Sequence, residues 1–206
     1  MEAALKRLFI ATNNEGKLRE IRALLADLPM ELVSPSEAGI TLDVDEDGDT
    51  YVANARKKAE AGARLSGFPA LGDDSGMEIE ALGGKPGIES ARFAGPEHKS
   101  QSGPLIRAVL EALGDRASAS PPATYHCAAV MMLPDGRTFE GQGILSGTIA
   151  AEPRGRGGFG YDPIFQLANG RRMSELTMEE KNLLSHRARA LNALEVYGAF
   201  DAAMTC

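Results

Sequence analysis

The apolar residues of this chain change their spacing from one segment to the next, and that alternation restricts the fold more than any composition figure. Leu8-Phe9-Ile10-Ala11 is a short continuous apolar run, which reads as a buried strand. After the turn-like Thr12-Asn13-Asn14-Glu15-Gly16, residues Leu18, Ile21, Leu24, Leu25 and Leu28 recur on one helical face. Val52, Ala55, Ala59 and Ala63 mark a second amphipathic helix from Tyr51 to about Leu65, and their small size predicts close packing on a sheet. Met77 to Ala81 alternates with period two, which places Asp73-Asp74-Ser75-Gly76 at a junction between strands. A third helix is expected over Leu105 to Leu113, followed by a Ser/Pro/Ala-rich surface connection. Tyr125 to Leu133 and Arg137 to Ile149 flank the turn Pro134-Asp135-Gly136 as the arms of a hairpin. Interleaved strand and helix periods predict a mixed α/β fold, a central mixed sheet flanked by helices. The 206 residues suit a single domain over 1–206, with a core that two lobes around a cleft could share.

Charge narrows the partners. At 43% hydrophobic and 25% charged residues the chain is an ordinary globular one, and its net charge of −7 gives no global footprint for a nucleic acid polymer or an anionic membrane. A small polyanion would have to be caught by a few basic groups gathered locally. The two cysteines, Cys127 and Cys206, form no disulfide framework and no CxxC motif, which fits a reducing cytoplasm. The apolar run near the start is too short for a signal peptide, and no run is long enough to span a bilayer, so a cytoplasmic location is expected.

Several segments carry possible chemistry. The loop ending in Lys17 precedes a helix, where backbone N–H groups favour an anion; the other reading is an ordinary strand-to-helix turn with a solvated lysine. It is not a Walker A loop, because Ala11 stands at the first glycine position and Leu18 where the magnesium-binding hydroxyl belongs. Gly155 to Gly160 satisfies GxGxxG but opens no helix, so it lacks the dinucleotide-binding context. It reads instead as a flexible segment delivering Phe159, Tyr161 and Asp162 to a flat base, or as a tight turn with core aromatics. Carboxylates cluster at Asp43, Asp45, Glu46, Asp47 and Asp49 and again at Asp73 and Asp74; if the two clusters converge they make a magnesium site. Adjacent positions on extended chain point to opposite sides, so one of Asp73 and Asp74 is expected to be catalytic and the other supporting. His98, His126 and His186 show no zinc spacing, and no G-x-S-x-G elbow is present. Thr177-Met178-Glu179-Glu180 is a capping box that starts a helix. In one unbroken helix Lys181 and His186 would lie about 140° apart. A fresh start at Ser185 is therefore needed for Lys181, His186 and Arg187 to converge.

ATNNEGK, GDDSGMEIEALGGKPGIESARFAG, GGFGYDPIF and LTMEEKNLLSHRARAL, in this order, resemble the inosine triphosphate pyrophosphatase family over nearly the whole chain. The resemblance implies hydrolysis of non-standard purine nucleoside triphosphates (ITP, dITP, XTP, dXTP) to monophosphate and pyrophosphate. It also implies Mg²⁺, a homodimer and a two-lobed mixed α/β fold around a cleft. Carried over residue by residue, it makes Thr12, Asn14, Lys17 and Lys58 contacts of the triphosphate, Asp74 a metal ligand and general base, and Ser75 a substrate contact. Phe159, Gly160, Tyr161 and Asp162 then form the base-side loop, and Lys181, His186 and Arg187 the closing nucleotide contacts. The family's first acidic metal position is a glutamate three residues before a glycine. Aligning Gly48 puts Asp45 there with Glu46 beside it, and the alignment favours Asp45. Asn13 and Ala53 also depart from the family pattern.

Overall fold

A computed structural model describes residues 6–206, so the first five residues of the expected domain lie outside the described residues. The chain runs β1 (Lys6–Ile10), α1 (Glu15–Leu24), β2 (Met30–Val33), α2 (Pro35–Ala38), α3 (Tyr51–Ser66), β3 (Ala70–Ile79) and β4 (Pro86–Gly87). It continues with α4 (Ser102–Leu113), β5 (Pro122–Met132), β6 (Thr138–Ile149), β7 (Phe165–Gln166), α5 (Met178–Asn182), α6 (His186–Val196) and α7 (Ala199–Thr205). The strands hydrogen-bond in the order β2-β1-β3-β5-β6-β7, with β4 paired to β3. β1 is parallel to β2 and β3, while β3–β4 and β6–β7 are antiparallel, so the sheet is mixed as expected. Two compact units share these elements: residues 6–74, 127–143 and 187–206 form unit 1, and residues 75–126 and 144–186 form unit 2.

Unit 1 has its main core where α1, α6 and α7 bring Leu18, Ile21, Leu191, Leu194 and Phe200 against Leu8, Ile10, Leu71 and Met131 of the strands. Helix α1 ends at Leu24 rather than running to Leu28: Leu25 is its C-cap, with its N–H donating to Ile21 O at 3.0 Å, and Pro29 keeps Leu28 from helical backbone. Helix α3 lies unusually close to β3. A Cβ on Gly72 would stand 2.2 Å from the Ala55 carbonyl oxygen and 2.6 Å from the Ala59 nitrogen, so glycine is what permits the approach. The alanine-rich face read from the sequence therefore does pack tightly, and it brings Asn54 and Lys58 of α3 beside β3.

In unit 2, Met77 and Ile79 of β3 pack with Leu105, Val109 and Leu113 of α4 and with Tyr125, Ile149, Tyr161 and Phe165. The turn Pro134-Asp135-Gly136 between β5 and β6 is closed by Leu133 N–H to Arg137 O at 2.9 Å and Gly136 N–H to Leu133 O at 2.9 Å. One sequence expectation is corrected here. Asp73 and Asp74 do not sit at a junction between strands; they lie inside β3, whose ten residues run without a break. The glycines and serine around them resemble turn residues, but Gly72 serves helix packing instead. The break at Ser185 is found: α5 stops at Asn182 and α6 starts at His186.

Candidate functional site

The phosphate-loop candidate is organised by its own side chains. Asn14 is the N-cap of α1, its Oδ1 accepting from Gly16 N at 2.9 Å and Lys17 N at 3.1 Å. Thr12 Oγ1 accepts from Asn14 N at 3.1 Å, and Asn13 Nδ2 donates to Leu42 O at 2.7 Å. The cap fixes where α1 begins and so where Lys17 points.

Lys17 points at the acidic pair. Its ammonium is 2.8 Å from Asp73 Oδ1 and 4.0 Å from Asp74 Oδ1. Lys58 approaches the same pair from α3, 2.8 Å from Asp74 Oδ1, 3.1 Å from the Asp73 carbonyl and 2.7 Å from Glu46 Oε2. Asn54, one turn earlier on α3, donates to Asp74 Oδ2 at 3.4 Å and accepts from Gly48 N at 2.8 Å, tying the acidic loop to β3. Behind Asp73, Arg187 Nε donates to Oδ2 at 3.1 Å and Cys127 Sγ lies 3.2 Å from the same oxygen, while the Arg187 guanidinium also pairs with Glu20. The result is a chain of alternating charge within unit 1: Glu20, Arg187, Asp73, Lys17, Asp74, Lys58, Glu46.

Burial of these groups would ordinarily disfavour their charges, yet the partners win. Burial pushes the Asp73 carboxyl up, but the Arg187 and Lys17 charges outweigh it and hold Asp73 well below the usual carboxylate range. Burial likewise works against the Lys58 ammonium, and the carboxylates of Asp74 and Glu46 overcome it and raise its pKa. Arg187, 1% exposed, is raised by Asp73 and Glu20 against the same desolvation. Asp73 thus favours its charged form and holds two cations, Lys17 and Arg187, in place. Asp74, by contrast, faces Lys58 and Asn54 on the side of the acidic loop.

The two clusters of carboxylates meet through Glu46. It is half-buried and shares the Lys58 ammonium with Asp74, whereas Asp45 is exposed and Asp47 pairs with Lys57. The alignment preference for Asp45 is not what this geometry favours, because side chains alternate along the extended loop and Glu46 has the inward turn. Glu46 and Asp74 present hard oxygen donors from separate segments toward one point, the arrangement that suits a magnesium ion using one or two protein carboxylates. Among the described residues, the cations Arg187, Lys17 and Lys58 thus interleave with the carboxylates Glu20, Asp73, Asp74 and Glu46. Among the described residues no three His, Cys, Asp or Glu side chains gather as a closed metal cage.

Unit 2 holds the other motif residues. Gly158 adopts φ +70°, and a Cβ there would lie 2.0 Å from Asp162 Oδ2. That glycine lets the segment fold back so that Phe159 N donates to Asp162 Oδ2 at 2.9 Å. Lys181 binds the same oxygen at 2.5 Å and lies 5.4 Å from the Phe159 ring centroid. Tyr125 donates from its hydroxyl to Asp162 Oδ1 at 3.2 Å, and its ring stacks on His186 with centroids 4.6 Å apart. Tyr161 turns inward: it is 3% exposed and its hydroxyl donates to Ser90 O at 2.8 Å. Its aromatic ring is therefore part of the unit 2 core rather than a platform for a base. Gly160, at φ +61°, forms the turn beside it, and Ser75 is half-buried on β3.

Of the three residues expected to converge after Ser185, Lys181 and His186 join this aromatic cluster, while Arg187 is engaged by Glu20 and Asp73 in unit 1. Asn54, Glu20 and Tyr125 are not among the site residues that the sequence motifs indicate. Glu20 lies one helical turn past Lys17, and Asn54 one turn before Lys58, and that spacing was the available signal.

The profile of the Ham1 family matches residues 8–197. A protein of Symbiobacterium thermophilum named dITP/XTP pyrophosphatase is 44% identical over 189 residues, covering 90% of this chain and 91% of that protein. One of Streptomyces coelicolor with the same name is 45% identical, covering 92% and 96%. Among solved structures, a HAM1 protein from Coxiella burnetii has a TM-score of 0.80 at 38% identity, covering 94% of this chain and 98% of that one. The Staphylococcus aureus Ham1 protein has a TM-score of 0.79 at 38% identity, covering 93% and 97%. Sequence profile, relatives and fold agree over the segments that carry both clusters, and the chain belongs to the Ham1 family.

Proposed function

We propose that the protein hydrolyses non-standard purine nucleoside triphosphates, ITP, dITP, XTP and dXTP, to the monophosphate and pyrophosphate. The carrying observation is the Glu46–Lys58–Asp74 arrangement beside Lys17, in a chain whose relatives are named dITP/XTP pyrophosphatase. Lys17 and Lys58 neutralise the departing pyrophosphate, with Thr12 and Asn14 shaping the loop that faces it. Asp74, oriented by Asn54 and Lys58, accepts the proton of the water that attacks the α-phosphorus. Asp74 and Glu46 are the residues that would hold Mg²⁺, which when bound supplies Lewis-acid polarisation of phosphoryl oxygens. Positioning and electrostatics provide most of the rate in this chemistry.

Base selection belongs to the unit 2 cluster. Hypoxanthine and xanthine carry a 6-keto acceptor where adenine carries an amino donor, and Lys181 and His186 supply donors to it while Phe159 stacks on the ring. A site built of donors rejects the amino group because its polar atoms are then left unpaired.

The same reading includes a homodimer working in the cytoplasm, supported by the family resemblance and by two cysteines that both stand as free thiols. Among the described residues no helix is long and apolar enough to cross a membrane. Sedimentation equilibrium checks the dimer. Phosphorus NMR of products across a panel of nucleoside triphosphates with Mg²⁺ tests the reaction: pyrophosphate from ITP and XTP is expected. Orthophosphate with a nucleoside diphosphate would overturn it.

A further inference from the structure

Tyr125 is used by nothing in that reaction, yet it touches both halves of the base-side cluster. Asp162, 3% exposed, receives Phe159 N at 2.9 Å and Lys181 Nζ at 2.5 Å, both on Oδ2. With those two donors on one oxygen, the carboxylate plane is still governed by a broad terminal torsion. The Tyr125 hydroxyl, 3.2 Å from Oδ1, adds a donor on the other oxygen. The phenol can do this because its ring is held by two neighbours. Phe165 lies 4.3 Å away with 29° between the planes, and His186 lies 4.6 Å away with 13° between the planes. A phenylalanine would fill the same space and stack equally well, so what the hydroxyl adds is the bond to Asp162.

We propose that Tyr125 is a positioning residue for base recognition, with its hydroxyl fixing Asp162, and through it the Lys181 ammonium, while its ring sets the plane of the His186 imidazole. The inference rests on the base-side reading above. Lys181 swings on a flexible four-carbon stem and His186 can turn about its own torsions, so donors that are to reject an amino group must be aimed beforehand. Tyr125 aims both from one rigid side chain on β5.

The test compares wild type, Tyr125→Phe and Tyr125→Leu by kcat and KM for ITP and ATP, alongside Tm. Tyr125→Phe is expected to lower kcat/KM for ITP about tenfold, the scale of one hydrogen bond to a charged group, mainly through KM, while ATP changes little. The ITP/ATP ratio therefore narrows in a variant whose ring packing is kept. Tyr125→Leu, which also removes the stack on His186, is expected to narrow it further. A residue that merely stabilised unit 2 would lower Tm and reduce both substrates by one factor, and that result overturns the proposal. So does an unchanged ratio in Tyr125→Phe with a discriminating wild type, which sinks the role of Tyr125 alone. A wild type that cleaves ITP and ATP equally sinks the base-side reading and this inference with it.

Discussion

Lys58 in unit 1 stands between two carboxylates, 2.7 Å from Glu46 and 2.8 Å from Asp74, whereas Lys181 in unit 2 meets the Asp162 carboxylate at 2.5 Å and the aromatic face of Phe159. Around Lys58 the charges continue through Asp74 to Lys17, Asp73, Arg187 and Glu20. Around Lys181 the printed contacts turn aromatic: its partner Asp162 also takes the Tyr125 hydroxyl, and the Tyr125 ring stacks on Phe165 and His186. Two buried lysines with similar ion-pair distances thus sit in opposite surroundings. Interleaved carboxylates and cations suit a polyanion that arrives with a cation, while an ion pair beside aromatic rings suits a flat polar heterocycle. The surroundings of each buried lysine, more than the lysine itself, distinguish the two clusters.

The sharpest way to break this contrast is Asp74→Asn, which keeps shape and removes the shared charge. We expect kcat to fall by about a thousandfold or more, with nucleotide affinity largely kept, measured as single-turnover rates beside equilibrium binding. A near-normal kcat would remove Asp74 from the mechanism.

Next comes Arg187→Ala. It strips one cation from between two buried carboxylates, and an uncompensated buried charge costs about 3–5 kcal/mol, which urea unfolding will read. Because the guanidinium is held by Glu20 and Asp73, kcat/KM for ITP and ATP should drop by the same factor. A loss confined to ITP would return Arg187 to the base.

Glu46→Gln against Asp45→Asn separates the two candidates of the acidic loop. Glu46→Gln is expected to raise the Mg²⁺ concentration needed for half-maximal activity by roughly tenfold, and Asp45→Asn to leave it unchanged. The reverse outcome restores the alignment preference.

The smallest effect tests whether the units respond alike to acid, through a matched pair of capping boxes. Glu37 in unit 1 is lowered to about 2 by the backbone and hydroxyl of Ser34 and by Arg22, and Glu180 in unit 2 to about 2 by Arg171 and the Thr177 backbone; both start from 4.5. A depressed folded-state pKa gives stability that is complete above pH 4.5 and fades as pH falls through about 2. Both carboxylates are largely solvent-facing, so Glu37→Gln and Glu180→Gln should each lower Tm by about 2 °C or less at neutral pH and flatten its acid slope equally. Unequal flattening would show that one cap carries more than its local helix.

Much of the fold was legible because the period of the apolar residues is a local property. The first strand, the alanine-faced helix, the hairpin around Pro134-Asp135-Gly136 and the break at Ser185 all appear near their expected places. Asp73 and Asp74 were misplaced at a junction because the flanking glycines read as turn formers, and only the tertiary approach of α3 explains Gly72. At the site, the motif residues could be named but their pairings could not. Whether Asp45 or Glu46 turns inward depends on one residue of register in an extended loop, and nothing in the spacing reveals that Arg187 pairs with a glutamate 167 positions earlier. Tyr125 was invisible for a similar reason: in sequence it is one aromatic among the apolar residues of a strand.

Cys127 gives this architecture a built-in reporter. Its thiol is buried against Asp73, and burial together with that carboxylate pushes its pKa well above the ordinary 9.0, so it is a poor nucleophile while the cluster is closed. Cys206 is exposed. A maleimide or disulfide reagent will therefore tag the C-terminal thiol at once and reach Cys127 only during an opening event. The lag between the two modifications, followed by intact-mass spectrometry, is a clock for how often the charged interior comes apart, readable without substrate, metal or turnover.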